Sequence, residues 1–417
     1  MREMKDSGIS WIGEIPKEWS VNRAKYCFVN TKEIAGCMSD RYERLALTMN
    51  GVIKRSKDDS NGLQPEKFET YQILRPDELV FKLIDLQNVS TSRVGLSPYL
   101  GLVSPAYIIL KSNKRVLPAF AEKYFLMLWK NQIFNALGDA GVRSNLNSKD
   151  LLELSIPFPA IDEQQRIAEF LDRECGKIDG LKADIQAQID TLEQYKRSVI
   201  TEAVTHGLNP SAPMKDSGIP WVGQFPTHWT KKKGKYILRY MSKPVKQDDS
   251  VITCFRDGEV TLRSNRREDG FTMADKEIGY QGVDVGDLVV HGMDGFAGAI
   301  GISDSRGKAS PVLNVLNTKQ NKKYIMYYLR SMAYGDVFTA LSTGIRVRSC
   351  DLRWNKLAEL LYPLPPIDEQ NNIVNYIDEQ IARTNDIIAD KKSQIETLDG
   401  YKKSLIYEYV TGKKEVV

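Results

Sequence analysis

Histidine, cysteine and paired carboxylates build most active sites, and this chain of 417 residues gathers few of them. Its histidines, His206, His228 and His291, stand far apart, with no HExxH or HxE spacing to hold a metal. Cys27, Cys37, Cys175, Cys254 and Cys350 include no CxxC pair and read as free thiols of a reducing compartment. Gly295, Gly298 and Gly301 lack the G-x-G-x-x-G spacing that carries a pyrophosphate on a helix start. The run from Gly301 to Gly307-Lys308-Ala309 is one residue too long for a phosphate loop, with Ala where the magnesium-binding hydroxyl belongs. Pro76-Asp77 could open a nuclease motif, but no Asp or Glu follows between 86 and 121. The Asn/Asp-Pro-Pro-aromatic motif of adenine methyltransferases is missing. The expectation is a chain that performs no catalysis alone and holds no metal or cofactor of its own.

What the chain does offer is basic side chains in turns beside strands. Arginine forks read guanine edges bidentately, and any Lys or Arg can sit on a phosphate. Arg256, Arg263, Arg266 and Arg267 cluster among Gly, Ser and Asn; Lys54, Arg55 and Lys57 follow Asn50-Gly51; Arg93 sits among Ser and Thr. A Gly–branched–Arg turn occurs twice, as Gly141-Val142-Arg143 and Gly344-Ile345-Arg346, with Ser144, Asn145 and Arg348 beside it. Charge distribution supports a polyanionic partner. Residues 161–204 hold ten acidic and six basic side chains, and residues 367–410 hold nine and five. Each segment carries −4, so a chain of net +4 places +12 on the remainder.

The elements that position these residues are written twice. Met4-Lys5-Asp6-Ser7-Gly8-Ile9 returns as Met214-Lys215-Asp216-Ser217-Gly218-Ile219, and the match runs on through Trp11/Trp221, Pro16/Pro226 and Trp19/Trp229. Pro159-x-Ile161-Asp162-Glu163-Gln164 returns as Pro365-x-Ile367-Asp368-Glu369-Gln370. Farther on, Tyr195-Lys196 and Val204-Thr205 return as Tyr401-Lys402 and Val410-Thr411, and Ser104-Pro105 as Ser310-Pro311. Residues 30–100 and 240–300 show no such match. A shared frame around unlike inserts implies one job done twice and two jobs done once each.

The inserts read as mixed α/β: strands at Glu78–Phe81, Ala106–Leu110, Asp287–Val290 and Ala299–Ile302, and helices at Phe120–Leu137 and Lys322–Leu341. Each acidic segment reads as a long helix, about 66 Å for roughly 44 residues, with Asp162 or Asp368 as N-cap. Leu171, Ile178, Ile185, Leu192 and Val199 recur every seven residues, as do Ile381, Ile388 and Ile395, joined by Leu398 and Leu405. That is a coiled-coil seam, expected to close antiparallel. The segmentation expected is 1–160 and 209–364 for two recognition domains, with 161–208 and 365–417 for two spacer helices. The fold class is therefore α/β (α+β) domains in two copies, joined by two long antiparallel coiled-coil helices in a pseudo-twofold repeat.

The doubled frame, MKDSGIxWxGxxPxxW at the head of each block and Pro-x-Ile-Asp-Glu-Gln before a helix ending Tyr-Lys-(Arg/Lys)-Ser-x-Ile-x-Glu-x-Val-Thr, resembles the specificity subunits of Type I restriction–modification systems. The resemblance implies two target-recognition domains, each reading half of an interrupted double-stranded DNA site, with the helices setting the gap. It also implies two methylation subunits docked on the chain, which supply S-adenosylmethionine chemistry, and restriction subunits that use ATP and magnesium. No base-contacting residue transfers by motif, because the inserts vary. With no apolar run of membrane length and no apolar signal in MREMKDSG, the expected location is a prokaryotic cytoplasm. A methylation-only complex and a coiled-coil scaffold without DNA are the alternatives; charge segregation counts against the second.

Overall fold

The computed structural model describes residues 2–59, 67–84, 86, 92–138, 145–266, 277–341 and 352–416. The chain divides into two units, one made of Met1–Ile185 with Lys392–Val417 and the other of Gln186–Lys391. Two long helices, Ile161–His206 and Ile367–Val410, contribute a segment to each unit. No helix among the described residues is long and apolar enough to cross a membrane.

In the first unit a hairpin of Met4–Ile9 and Gly13–Pro16 leads into strand Ser20–Arg23, which pairs with Ser155–Phe158 just ahead of the long helix. Between these frame strands lies an antiparallel sheet in the order Phe28–Thr31, Ile108–Ser112, Leu79–Phe81, Val94–Leu96. Its strands are rich in branched and aromatic side chains, which fit a pleated surface. Helix Pro118–Lys130 buries Phe120, Tyr124, Phe125 and Leu128 against it, with Phe125 meeting Phe81 edge-on at 5.0 Å between ring centres. A second, mixed sheet of Gly51–Arg55, Arg44–Thr48, Gly101–Val103 and Gln72–Leu74 closes over a small core of Leu45, Leu47, Val52 and Leu74.

The second unit repeats the plan. Its hairpin is Met214–Asp216 with Gln224–Pro226, and Thr230–Lys233 pairs with Leu361–Leu364. The main sheet keeps the same order: Leu238–Tyr240, Leu313–Thr318, Leu288–His291, Ile300–Ile302. The mixed sheet is replaced by two separate ladders, Ile252–Cys254 with Val260–Leu262 and Gln281–Val283 with Gly307–Ala309. This is where the inserts differ most.

Three expectations need correction. Each insert helix is two helices: Pro118–Lys130 then Ile133–Leu137, and Lys322–Tyr334 then Val337–Ala340. Gln132 and Asp336 break them in the left-handed region, at φ 60° and 54°, which no helix interior tolerates. The strand expected at 106–110 begins two residues later, at Ile108. Asp162 and Asp368 are not N-caps but lie inside the first turn, where their charge still complements the exposed N–H groups of the helix start.

The repeated motifs turn out to be clamps. The buried Trp19 indole donates to Glu163 Oε2 at 3.0 Å, and Trp229 donates to Glu369 Oε1 at 3.0 Å. The neighbouring glutamines are fully buried. Gln164 donates to the Pro159 carbonyl at 3.0 Å and accepts from Leu117 N–H at 2.8 Å; Gln370 donates to the Pro365 carbonyl at 2.9 Å and accepts from Asn321 N–H at 3.0 Å. One amide thus joins the last frame strand, the long helix and the start of the insert helix. Trp11 and Trp221 each donate to a buried tyrosine hydroxyl, Tyr124 and Tyr328, which donates on to the carbonyl of Ser155 or Leu361. Both long helices end on a glycine with positive φ that lies against the tryptophan of a clamp: Gly207 by Trp229, Gly412 by Pro16 and Trp19. A Cβ there would press on those rings, so only glycine closes the helix this tightly.

Within each unit the two helix segments run antiparallel. In the first, Lys182 meets Asp399 at 2.5 Å and Lys402 meets Asp179 at 2.6 Å; in the second, Lys196 donates to Asn385 at 2.9 Å. Leu171, Ile178, Ile388 and Leu405 are buried, while Ile185, Leu192, Val199, Ile381, Ile395 and Leu398 are half-buried. Asp172 and its counterpart Asp378 tie the insert helices to the long ones, through Lys123 at 2.6 Å and through Lys323 at 2.6 Å with Tyr327.

Replacing Gln370 by Leu should orphan the Asn321 N–H and the Pro365 carbonyl, costing about 2–4 kcal/mol. Urea unfolding of the intact chain measures it; a loss under about 1 kcal/mol would mean that water takes over these groups.

Candidate nucleic-acid interface

The second unit gathers three of the sequence-selected arginines around one groove of about 860 Å³, lined by Thr253, Arg256, Arg263, Arg266, His291 and Asp294 among others. Strand Ile252–Cys254 forms one side of it, and His291 reaches it from the end of strand Leu288–His291. Arg256 pairs with Asp294 at 2.9 Å and is still 59% exposed. Arg266 pairs with Asp257 at 2.6 Å and Glu259 at 2.9 Å, and lies over the Phe255 ring, 4.3 Å from its centre. Arg263 reaches Thr253 Oγ1 at 3.4 Å. A guanidinium has five N–H donors, so the pairs that hold Arg256 and Arg266 in place still leave donors for a ligand. Arginines fixed in this way suit a planar base edge better than mobile lysines do.

His291 closes the same groove and was not selected from the sequence. Burial pushes its pKa below the ordinary histidine value; Asp294 pulls the other way. The signal that could have found it is a local match, Glu78-Leu79-Val80-Phe81-Lys82 against Asp287-Leu288-Val289-Val290-His291. Within the divergent inserts only the Leu-Val pair and an acidic residue before it correspond; Phe81 stands against Val290, and Lys82 against His291.

In the first unit the candidates scatter. Lys54 lies on strand Gly51–Arg55, bridged to Glu43 at 2.6 Å and over the Tyr99 ring at 5.4 Å. Arg55 pairs with Asp59 at 2.6 Å, and Lys57 donates to the Ser39 carbonyl at 2.9 Å. Asn145 lies elsewhere, on a cleft of about 480 Å³ with Asn30, Lys32, Gln72 and Tyr107. Arg93 is fully buried, which removes it from any surface that DNA could touch. Arg143, Ser144, Arg267, Arg346 and Arg348 lie outside the described residues. Both grooves flank the repeated Ser-Pro turn, through Pro105 in one unit and Ser310 in the other. Among the described residues no cluster of three His, Cys, Asp or Glu side chains could hold a metal.

Residues 84–191 match the family model described as Type I restriction modification DNA specificity domain. Along 97% of its length the chain is 22% identical to the putative type I restriction enzyme MjaX specificity subunit of Methanocaldococcus jannaschii, covering 96% of that protein. It is 20% identical to the type I restriction enzyme StySPI specificity subunit of Salmonella potsdam, over 85% of this chain and 81% of that one. The fold is shared with a chain solved in work on complex assembly and conformational transition of the type I restriction–modification system, at TM-score 0.66 and 12% identity, covering 96% of this chain and 99% of that one.

Changing Arg256, Arg263 and Arg266 together to Ser is expected to reduce the slope of log affinity against log salt by up to about 2.7, some 0.9 for each phosphate no longer neutralised. Fluorescence anisotropy on duplex DNA between roughly 50 and 200 mM salt reads this. An unchanged slope would place the groove off the path of the phosphates.

Proposed function

From a chain related along its length to Type I restriction–modification specificity subunits, we propose that each unit reads one half of an interrupted DNA site, on behalf of catalytic subunits that dock on the shared frame. One observation carries this reading: two units hold the same clamp of Trp, Glu and Gln around unlike inserts. A frame kept in register in both copies suits a partner present twice, and inserts free to differ suit two unlike half-sites. Two methylation subunits would bring S-adenosylmethionine and adenine methylation, and restriction subunits recruited through them would bring ATP and magnesium. This chain contributes recognition and no chemistry. The arginine-lined groove of the second unit and the exposed cations of the first meet DNA; the acidic helices, whose charge repels phosphates, set the gap between half-sites.

Single-molecule sequencing of modified adenines, in DNA from cells making this chain with an active methylation partner, should reveal methylation at one two-part motif. Methylation scattered without a motif, or none, would refute the reading.

A matched insertion of seven residues in the middle of each long helix keeps the seam in phase and adds about 10 Å of helix. The tolerated gap should widen, by at most about three base pairs of 3.4 Å each, with both half-sites unchanged. Retention of the original gap would mean that the helices do not act as the ruler.

A further inference from the structure

We propose that His291 is a base-reading residue of the second unit, donating a hydrogen bond from Nε2 to the N7 of a purine in the major groove. This rests on the reading of the unit as a DNA-recognition domain.

The ring is held in one orientation. His291 ends strand Leu288–His291, and its Nδ1 accepts from the backbone N–H groups of Met293 at 3.2 Å and Asp294 at 2.9 Å. An acceptor Nδ1 places the proton of the neutral ring on Nε2. The nearest carboxylate oxygen, Asp294 Oδ2, is 3.9 Å from Nε2, too far for a hydrogen bond. The ring lines the groove where Arg256, Arg263 and Arg266 converge, with its side chain 20% exposed. The result is a short, rigid donor at the end of a central strand, flanked by longer cationic side chains. A donor fixed by two backbone bonds loses little freedom on binding, which is what discrimination between bases requires.

The ring's chemistry separates it from the arginines. Burial favours the neutral form, so His291 adds little to the salt-dependent attraction for phosphates. A neutral N–H donor accepts pairing with purine N7, guanine O6 or thymine O4, and it is repelled by the amino group that cytosine presents in the same groove. In the other unit the corresponding strand ends at Phe81 and is followed by Lys82, so the two inserts place different donors at the end of the same strand of the sheet.

The test uses the whole complex of this chain with its methylation subunits on a library of degenerate sites. His291→Asn keeps an oxygen to accept from Met293 and Asp294 N–H, while its amide N–H groups, on a shorter side chain, no longer reach the position of the ring Nε2. The expected result is a motif unchanged except at one base pair of one half-site, where discrimination against cytosine falls about tenfold, the order expected when one base-edge hydrogen bond is removed. The thermal midpoint and the salt slope should stay at wild-type values. At that base pair, 7-deazapurine should slow methylation by the wild-type complex about tenfold and leave the variant indifferent. An unchanged motif, or a uniform loss at every position, would overturn the assignment, since a structural or phosphate role acts on all sequences alike. Absence of any motif from the wild-type complex would instead refute the underlying reading, and the assignment with it.

Discussion

Everything in this protein hangs on a buried hydrogen bond from an indole to a carboxylate. A carboxylate taken out of water is costly unless donors meet it. Glu163 meets that condition with the Trp19 indole and Arg2, and Glu369 with the Trp229 indole and His228. Because the glutamate stands in the first turn of a long helix and the tryptophan follows the opening hairpin, the bond fixes where each helix leaves its unit. The adjacent glutamine then fixes the insert helix. Were the clamp loosened, the sheet could keep its own core of Phe81, Phe125 and Leu110 and still lose its bearing on the helix.

The frame was legible because duplication prints the same constraints twice. Ile-Asp-Glu-Gln stood out as a repeat, although its sequence suggested a helix cap and the structure makes its Glu and Gln anchors. The capping reading failed because the helices already begin at Ile161 and Ile367, and the anchors could not be read because their partners, Trp19 and Leu117, lie 144 and 47 residues away. The breaks at Gln132 and Asp336 were missed because the apolar period continues across them; a left-handed residue redirects the chain without changing the pattern. The grooves were half legible. Arg256, Arg263 and Arg266 lie close together along the chain, so composition found them. His291 comes to them only because strand Leu288–His291 packs against Ile252–Cys254, and Arg93 left the set because it is fully buried, which a run of serines and threonines does not reveal.

Charge is managed locally throughout. Two cations converge on one carboxylate at the same frame position in each copy, Arg23 and Lys25 on Glu153, Lys233 and Lys235 on Glu359. The paired lysines hold Glu359 at a pKa of about 2. Exposed pairs of this kind stabilise little, but they determine which surface charges remain unmatched. In the second unit Arg306 is gripped by Asp249 and Asp284, and Lys243 by Asp284 and Asp287. Those cations brace the loops that carry Asp249 and Asp284.

The first unit is assembled from both ends of the chain: residues 392–416 complete a core begun by residues 2–185, and Tyr407 donates to the Ile12 carbonyl at 3.2 Å. A ribosome releases these parts in the opposite order to their need. The second unit is contiguous from Gln186 to Lys391 and has all its residues while synthesis continues. The first must wait, with Trp19, Leu171 and Ile178 lacking part of their cover, until the last helical turns emerge. At about 5–20 residues per second that exposure lasts on the order of ten to forty seconds for the 206 residues between. Chaperone demand should therefore fall on the half of the protein that is made first.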